Sequence, residues 1–360
     1  MAATGTGGGP RNRPTLEQVA ARAGVGRGTV SRVVNGAPGV SDRTRAEVEA
    51  AVAELGYVPN RTARALAAGN SDAVALVVPE SQTRLFAEPY FAGVLRGVST
   101  VLAGTELQLL LTLIHTPAER DRFAQYAVGG RVDGVLLVSV HAEDPLPDML
   151  RESGVPTVLG GRRSHAETVP FVDSDNTGGA RAAVAHLLEH GCRRVGTITG
   201  PLDMYAARCR LDGYRDAHSD GGREADEHLV VHGDFSEESG YRAMRTLLER
   251  EPLLDGVFCA SDVMASGARL ALRESGRSVP ERVALVGFDD SLVARHLDPP
   301  LTTVRQPIEE TGRAMATALL RLMASSRGEA DPAGLFDGVS GAGEGPGLVL
   351  PTELVRRGTS

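Results

Sequence analysis

The sequence predicts an α/β protein whose first part is an all-α helix-turn-helix head. Three observations predict this. Residues 15–56 carry apolar stripes at helical spacing, punctuated by glycines. Basic charge is concentrated in the same stretch. From Ala73 onward, apolar runs of strand length alternate with amphipathic segments of helical length.

The chain has 360 residues, enough for two or three folding units with real cores. It is 42% apolar and 23% charged, an ordinary soluble composition, and no apolar run approaches the roughly 20 residues that span a bilayer. Met1 to Pro10 is Gly, Ala and Thr without a charged-then-apolar pattern, so residues 1–13 read as a disordered tail and not a signal peptide. Cys192, Cys209 and Cys259 are an odd number without metal-ligand spacing, which suits a reduced cytoplasm. The net charge of −8 argues against nucleic-acid binding until it is divided. Residues 1–70 hold nine arginines against five acids, a net +4, which leaves −12 on the remaining 290. A basic head on an acidic body is what a DNA-binding module fused to a separate domain shows. Every basic residue is arginine, so each cation can make two-pronged contacts.

Thr15 and Gln18 have the spacing of a capping box and start the first helix, with Leu16, Val19, Ala20 and Ala23 on one face. Gly24-Val-Gly26 breaks it. A second helix, about Arg27 to Val34, buries Val30 and Val33 or Val34 and exposes Arg27, Gly28, Ser31 and Arg32. Two short helices across a glycine turn, the second with arginines on its free face, read as helix-turn-helix. Ser41 is a suitable N-cap for a third helix to Leu55, with Val48, Ala51 and Val52 buried and Gly56 ending it. Residues 14–59 form this head. Residues 60–72 are a hinge and linker, in which Arg61–Ala68 is too short to be a stable helix alone. In the body, residues 73–360, strand-like runs at Ala73–Val78, Leu107–Ile114, Gly134–Val140, Thr157–Leu159, Val169–Val172, Val195–Thr199, Leu229–Val231, Gly256–Cys259 and Val283–Phe288 alternate with helical segments. Such repetition implies two parallel sheets with right-handed crossovers. Thr302–Gln306 reads as a crossing strand, Ile308–Met323 as a late helix, 325–347 as a Gly-rich insertion, and Leu348–Arg356 as one final strand.

With these residues in place, the chain resembles the LacI/GalR (lactose repressor) family over nearly its whole length. The head carries Leu16-x2-Val-Ala-x2-Ala-Gly-Val, Thr29-Val-Ser-Arg-Val-Val-Asn35 and Leu55-Gly-Tyr-Val-Pro-Asn-x-x-Ala-x-x-Leu66. The body adds Arg210-x2-Gly-Tyr214, Ser261-Asp-x-Met-Ala-x-Gly267, Val286-Gly-Phe-Asp-Asp290 and Pro300-Leu-Thr-Thr-Val-x-Gln306. The resemblance implies a periplasmic-binding-protein-like effector domain of two Rossmann-like lobes, about 73–172 with 304–326 and about 173–303 with 327–360. They would be joined by three crossings with the ligand between them.

The resemblance also implies roles. Arg32 would offer a donor pair to guanine in the major groove. Arg27 and Gly28 stand where operator preference varies, and Gly28 has no side chain to read with. Thr15, Thr29, Ser31, Asn35 and Tyr57 would contact phosphates, with Asn60 and Arg61 beside them. Gly26 replaces a serine common in the family, which weakens one cap and one contact without removing the motif. Leu66 would wedge into the minor groove at the centre of a pseudo-palindrome, which requires a homodimer; its alternative is packing within its own domain. In the body, Phe91, Arg210, Phe235, Ser261, Asp262 and Asp289 are implied to bind the effector, a sugar held by Arg and Asp through charge-assisted bonds. Asp262 could instead be a helix N-cap, and Phe91 and Phe235 could be core. Ser261 replaces a commoner asparagine.

His186-x3-His190 suits a metal only with a third ligand, which the sequence does not supply. No catalytic constellation is visible and no cofactor or metal is expected. The rival readings are a nucleobase co-repressor on the same fold, a plain sugar-binding receptor, and an enzyme. If Leu66 is a wedge, Leu66→Ala weakens operator binding far more than non-specific DNA binding in a titration of both; an equal loss on the two DNAs removes that role.

Overall fold

The computed structural model describes residues 14–34, 38–57, 71–327 and 347–360. They divide into two compact units, one ending at Ser71 and one beginning at Asp72.

The head is three helices, α1 (Leu16–Ala23), α2 (Arg27–Val34) and α3 (Asp42–Leu55). Its capping box is formed: Gln18 N–H donates to Thr15 Oγ1 at 3.3 Å, and the Gln18 side chain accepts from Thr15 N–H at 2.8 Å. Gly24 ends α1 at φ 65°, a conformation that costs a side chain and not glycine. Ser41 caps α3, and Gly56 closes it in the same left-handed conformation. Val19, Val30 and Val48, one from each helix, are fully buried at the centre. An ion pair and hydrogen bond between Arg22 and Glu54 tie α1 to α3.

The body holds two six-stranded sheets. The first has the order β11-β5-β4-β3-β1-β2, from β1 (Ala73–Val78), β2 (Gln108–Leu113), β3 (Gly134–Val138), β4 (Thr157–Gly160), β5 (Phe171–Ser174) and β11 (Gly347–Leu350), all parallel. The second has the order β12-β10-β9-β8-β6-β7, from β6 (Val195–Thr199), β7 (Val230–His232), β8 (Gly256–Cys259), β9 (Ala284–Asp289), β10 (Thr302–Arg305) and β12 (Glu353–Val355). Only β12 runs against its neighbour. Central strands such as β1 and β3 are buried along their whole length, as continuous apolar runs covered by helices on both faces should be.

The chain passes between the sheets three times: after β5, after β10 and after β11. The final strand expected over Leu348–Arg356 is two. Gly347–Leu350 pairs with β5 in the first sheet, and Glu353–Val355 pairs with β10 in the second. The division that gave residues 327–360 wholly to the second lobe is therefore corrected. Pro351 and Thr352 fall at the change of sheet, where a residue without an N–H interrupts no ladder. β5 extends two residues past the apolar run that announced it, into Asp173 and Ser174, which are buried.

Helices Pro89–Leu102 and Ile308–Ser326 pack together over the first sheet, so the late helix returns to the first lobe after the second has been built. Gly97 and Gly312 let them touch: a methyl on Gly97 would lie 2.0 Å from the carbonyl oxygen of Glu309, and one on Gly312 would lie 2.3 Å from that of Val94. No described helix is long and apolar enough to cross a membrane. Since overpacking against backbone costs about 1–3 kcal/mol, Gly97→Ala lowers the melting temperature of the body. Gly104→Ala, whose methyl meets nothing nearer than 3.8 Å, does not; equal melting curves for the two variants contradict the close packing.

Candidate ligand cleft and nucleic-acid interface

Parallel strands present their C-terminal ends together, and a crevice between two such sets is where α/β proteins hold ligands. Here the residues just beyond β1, β3, β4 and β5 face those beyond β6, β7, β8 and β9 across a cleft of about 890 Å³, counted out to its mouth.

Arg210, on helix Tyr205–Asp220, lies at the centre and is 6% exposed. Its guanidinium sits 3.8 Å from the centre of the Phe288 ring. Nε donates to Asn176 Oδ1 at 2.9 Å and Nη1 donates to the Ala260 carbonyl. Asp289 Oδ1 stands 3.7 Å from Nη1 and also accepts from Gln306 Nε2 at 2.6 Å. Burial pulls the arginine's pKa down and pushes the carboxyl's up, and each charge restrains the other's shift. Asp289 is held at φ 117°, outside the comfortable range of an L-residue, the kind of outlier that clusters at ligand sites.

Phe235 follows β7 at φ 69° and is 6% exposed. Arg84 lies over its ring at 5.3 Å and Arg210 at 5.8 Å. The ring fits only because residue 200 is glycine: a methyl there would lie 2.1 Å from it. Phe91 lines the cleft and also belongs to the first lobe's core, packing edge-on to Tyr90 at 5.5 Å. Ser261 lines the cleft while its Oγ caps helix Asp262–Glu274 by accepting from Met264 N–H.

Asp262 is placed elsewhere. It is fully buried behind the cleft wall, where Oδ1 accepts from Thr303 Oγ1 at 2.5 Å and Oδ2 from Ser291 N–H at 2.7 Å. It is neither the N-cap nor a cleft-lining group; it fixes the turn that carries Asp289. Burial and the nearby Asp289 raise its pKa well above the usual carboxylate range.

The structure adds lining groups that the sequence reading did not single out: Arg84, Glu88, Tyr90, Arg162, Asp173 and Asn176. Arg162 donates to Asp173 at 2.9 Å and lies over the rings of Phe171 and Tyr205. Asn176 bridges Asp173 and Arg210. The available signals were weak. Arg84 and Glu88 have the spacing of an exposed helix pair, and Asp173 lies past the end of an apolar run.

Contacts also join the lobes across the mouth. His141 Nδ1 bonds Asp203 Oδ2 at 2.6 Å, Ala142 N–H donates to the Asp203 carbonyl at 2.8 Å, and Arg208 donates to the Arg163 carbonyl at 2.9 Å. Glu80 and Asp203 hold the His141 imidazolium up to about 8.

On the head, Arg27, Gly28 and Arg32 are exposed along α2, with Thr29 and Ser31 half-buried between them and Thr15 exposed at the start of α1. Arg32 makes no ion pair among the described residues, whereas Arg27 is 3.0 Å from Glu17. A side chain at Gly28 would meet nothing within 4 Å. Tyr57 packs into the head core at 9% exposure and is not on the open face. Asn35, Asn60, Arg61 and Leu66, residues 60–70 of the hinge reading and most of the 325–347 insertion lie outside the described residues. The two histidines of the 186/190 pair have other occupations: His186 bonds Ser360 Oγ, and His190 bonds the His186 carbonyl.

A small basic helical head joined to a two-lobed body with a polar, aromatic cleft defines a ligand-responsive DNA-binding regulator. Residues 15–60 match the model of bacterial regulatory proteins of the lacI family, and residues 184–360 match a periplasmic binding protein-like domain. The chain is 54% identical to the HTH-type transcriptional regulator CelR of Thermobifida fusca, over 86% of this chain and 92% of that one. It is 34% identical to the repressor PurR of Proteus mirabilis, over 88% and 92%. Among solved structures, a CelR–cellobiose complex matches at 48% identity with a TM-score of 0.73, covering 97% of this chain and all of that one. The lac repressor dimer bound to operator and the anti-inducer ONPF matches at 27% identity with a TM-score of 0.81, covering 97% and 99%. This chain belongs to the LacI family of transcriptional regulators.

The His141 bridge has a definite pH signature. An imidazole whose folded pKa is raised from 6.5 to about 8 contributes stability that is fully present below 6.5 and lost as pH rises through 8. The melting temperature of the wild type should therefore exceed that of His141→Asn by more at about pH 6 than at about pH 9. A gap that does not change with pH removes the charged bridge.

Proposed function

We infer that this chain is a homodimeric repressor of carbohydrate-utilisation genes, acting in the cytoplasm, which a sugar releases from a pseudo-palindromic operator. The observation that carries this is the buried Arg210–Asp289 pair beside Phe235 in the interlobe cleft. A pyranose offers vicinal hydroxyls that a guanidinium and a carboxylate hold by charge-assisted bonds, and an apolar face that an aromatic ring covers. The cleft's other charged partners, Arg84 with Glu88 and Arg162 with Asp173, suit a polyol better than a flat base. The likeness to the cellobiose complex of CelR makes a β-linked glucose disaccharide the first ligand to try.

In this reading Arg32 reads a guanine and Thr15, Thr29 and Ser31 set the register on phosphates. Arg27 must exchange Glu17 for DNA. The sugar acts only through unequal affinity for the bound and released states, and a coupling of about 1–3 kcal/mol suffices. The relatives named above are regulators, and the cleft is read as a binding site and not as a catalytic one.

The test is a mobility shift on DNA flanking the chain's own coding region, with and without cellobiose, glucose and nucleobases. The expected result is a discrete, salt-sensitive complex that cellobiose dissolves and that Asp289→Asn renders insensitive to it. A complex strengthened by any of these ligands reverses the sign and makes the ligand a co-repressor. Absence of a specific complex on every flanking fragment defeats local control.

A further inference from the structure

The inner cleft adjoins a second depression of about 960 Å³, counted to its mouth. The two share Arg84, Glu88, Phe235 and Val263 in their walls. The outer one is open and mixed in character: Ser81 and Thr83 on one lobe and Asp234, Ser236, Glu237 and Ser266 on the other stand beside the apolar Ala87 and Val293.

The residues at the junction are held firmly. Arg84 Nη1 donates to Glu80 and its Nε to Glu88, both at 2.6 Å, and Glu80 is fixed in turn by Ser139 Oγ at 2.6 Å. This clamp fixes the guanidinium over the Phe235 ring and leaves Nη2 with only a distant sulfur, Met204 Sδ at 3.9 Å. The second carboxylate oxygen of Glu88 accepts no hydrogen bond among the described residues. One free donor edge and one free acceptor therefore stand side by side where the two spaces meet. Burial outweighs the adjacent guanidinium and brings Glu88 up to about 7, as expected of a carboxyl waiting for a polar partner.

Resting on the sugar reading of the cleft, the geometry points to an oligosaccharide effector of two or more rings, with Arg84 and Glu88 forming the subsite for the ring beyond Arg210–Asp289 and the outer groove receiving further rings. A monosaccharide on Arg210–Asp289 would leave that groove to water. A linked second ring places hydroxyls at the junction, and a third emerges between Ser266 and Ser236. Arg84 and Glu88 therefore determine chain length, and the inner pair determines that a sugar binds at all.

Calorimetric titration of the full chain with glucose, cellobiose and cellotriose tests this, using the wild type, Glu88→Gln and Ser266→Tyr. Melting curves confirm that both variants fold. The wild type should bind cellobiose at least tenfold more tightly than glucose and accept cellotriose. Glu88→Gln should shrink the cellobiose-to-glucose ratio at least tenfold. Ser266→Tyr, which replaces a half-buried hydroxyl that donates to Glu237 with an aromatic ring in the outer groove, should weaken cellotriose at least tenfold relative to cellobiose. Wild-type binding of cellobiose with rejection of cellotriose, or variants that leave both ratios unchanged, overturns the subsite while the sugar reading stands. Failure of the wild type to bind any of the three overturns both.

Discussion

A guanidinium taken out of water must be paid for by partners, and the position of Arg210 constrains much of the body. A buried cation with an unfilled hydrogen bond costs several kcal/mol, so its neighbours are not free to drift. Asn176, which accepts from it, begins the helix just after the first passage between sheets. Gln306, which holds Asp289, stands at the second. At the third passage, Thr352 Oγ1 donates to the Asp175 carbonyl, one residue before Asn176. The charge at the bottom of the cleft is thus bonded to residues at two of the three crossings, and the third is tied to the residue before Asn176.

Around that centre, close packing supplies stiffness. Gly97 and Gly312 bring two first-lobe helices into backbone contact, and Gly240 and Gly267 do the same in the second lobe, where a methyl on Gly267 would lie 1.9 Å from the Glu237 carbonyl oxygen. Interiors packed this tightly move as blocks, which concentrates motion in the crossings and at the cleft mouth. The bonds there, His141 to Asp203 and Arg208 to the Arg163 carbonyl, are few and polar. Contacts of that kind can be exchanged at modest cost.

Much of this was legible in the sequence, for reasons that differ by region. The head is local: a capping residue, a glycine and a stripe of valines are separated by three or four positions, and the expected helices formed within a residue or two. The central strands of the body announced themselves as apolar runs because both their faces are covered, whereas β2, an edge strand with as apolar a run, leaves Leu110 and Leu111 exposed. Sheet membership was not legible, because β11 and β12 are distinguished only by partners far away in sequence. Asp262 illustrates the same limit. Its neighbour Ser261 took the cap, and its carboxylate went to Thr303, 41 positions further on. Arg84 and Glu88 were hidden for the opposite reason: their spacing is so common on solvated helices that nothing marked them as lining a cleft.

Gly28 has a consequence for how such a protein diverges. Glycine is a poor helix former, and Gly28, the second residue of α2, is exposed with open space around it. Almost any replacement can be accommodated without disturbing the head, and most would strengthen α2. If α2 is the helix that reads the operator, as proposed, a duplicated copy of the gene could acquire a new operator preference through a single codon at this position while the rest of the head is unchanged. The empty position on α2 is an evolutionary degree of freedom, kept at a small standing loss of stability.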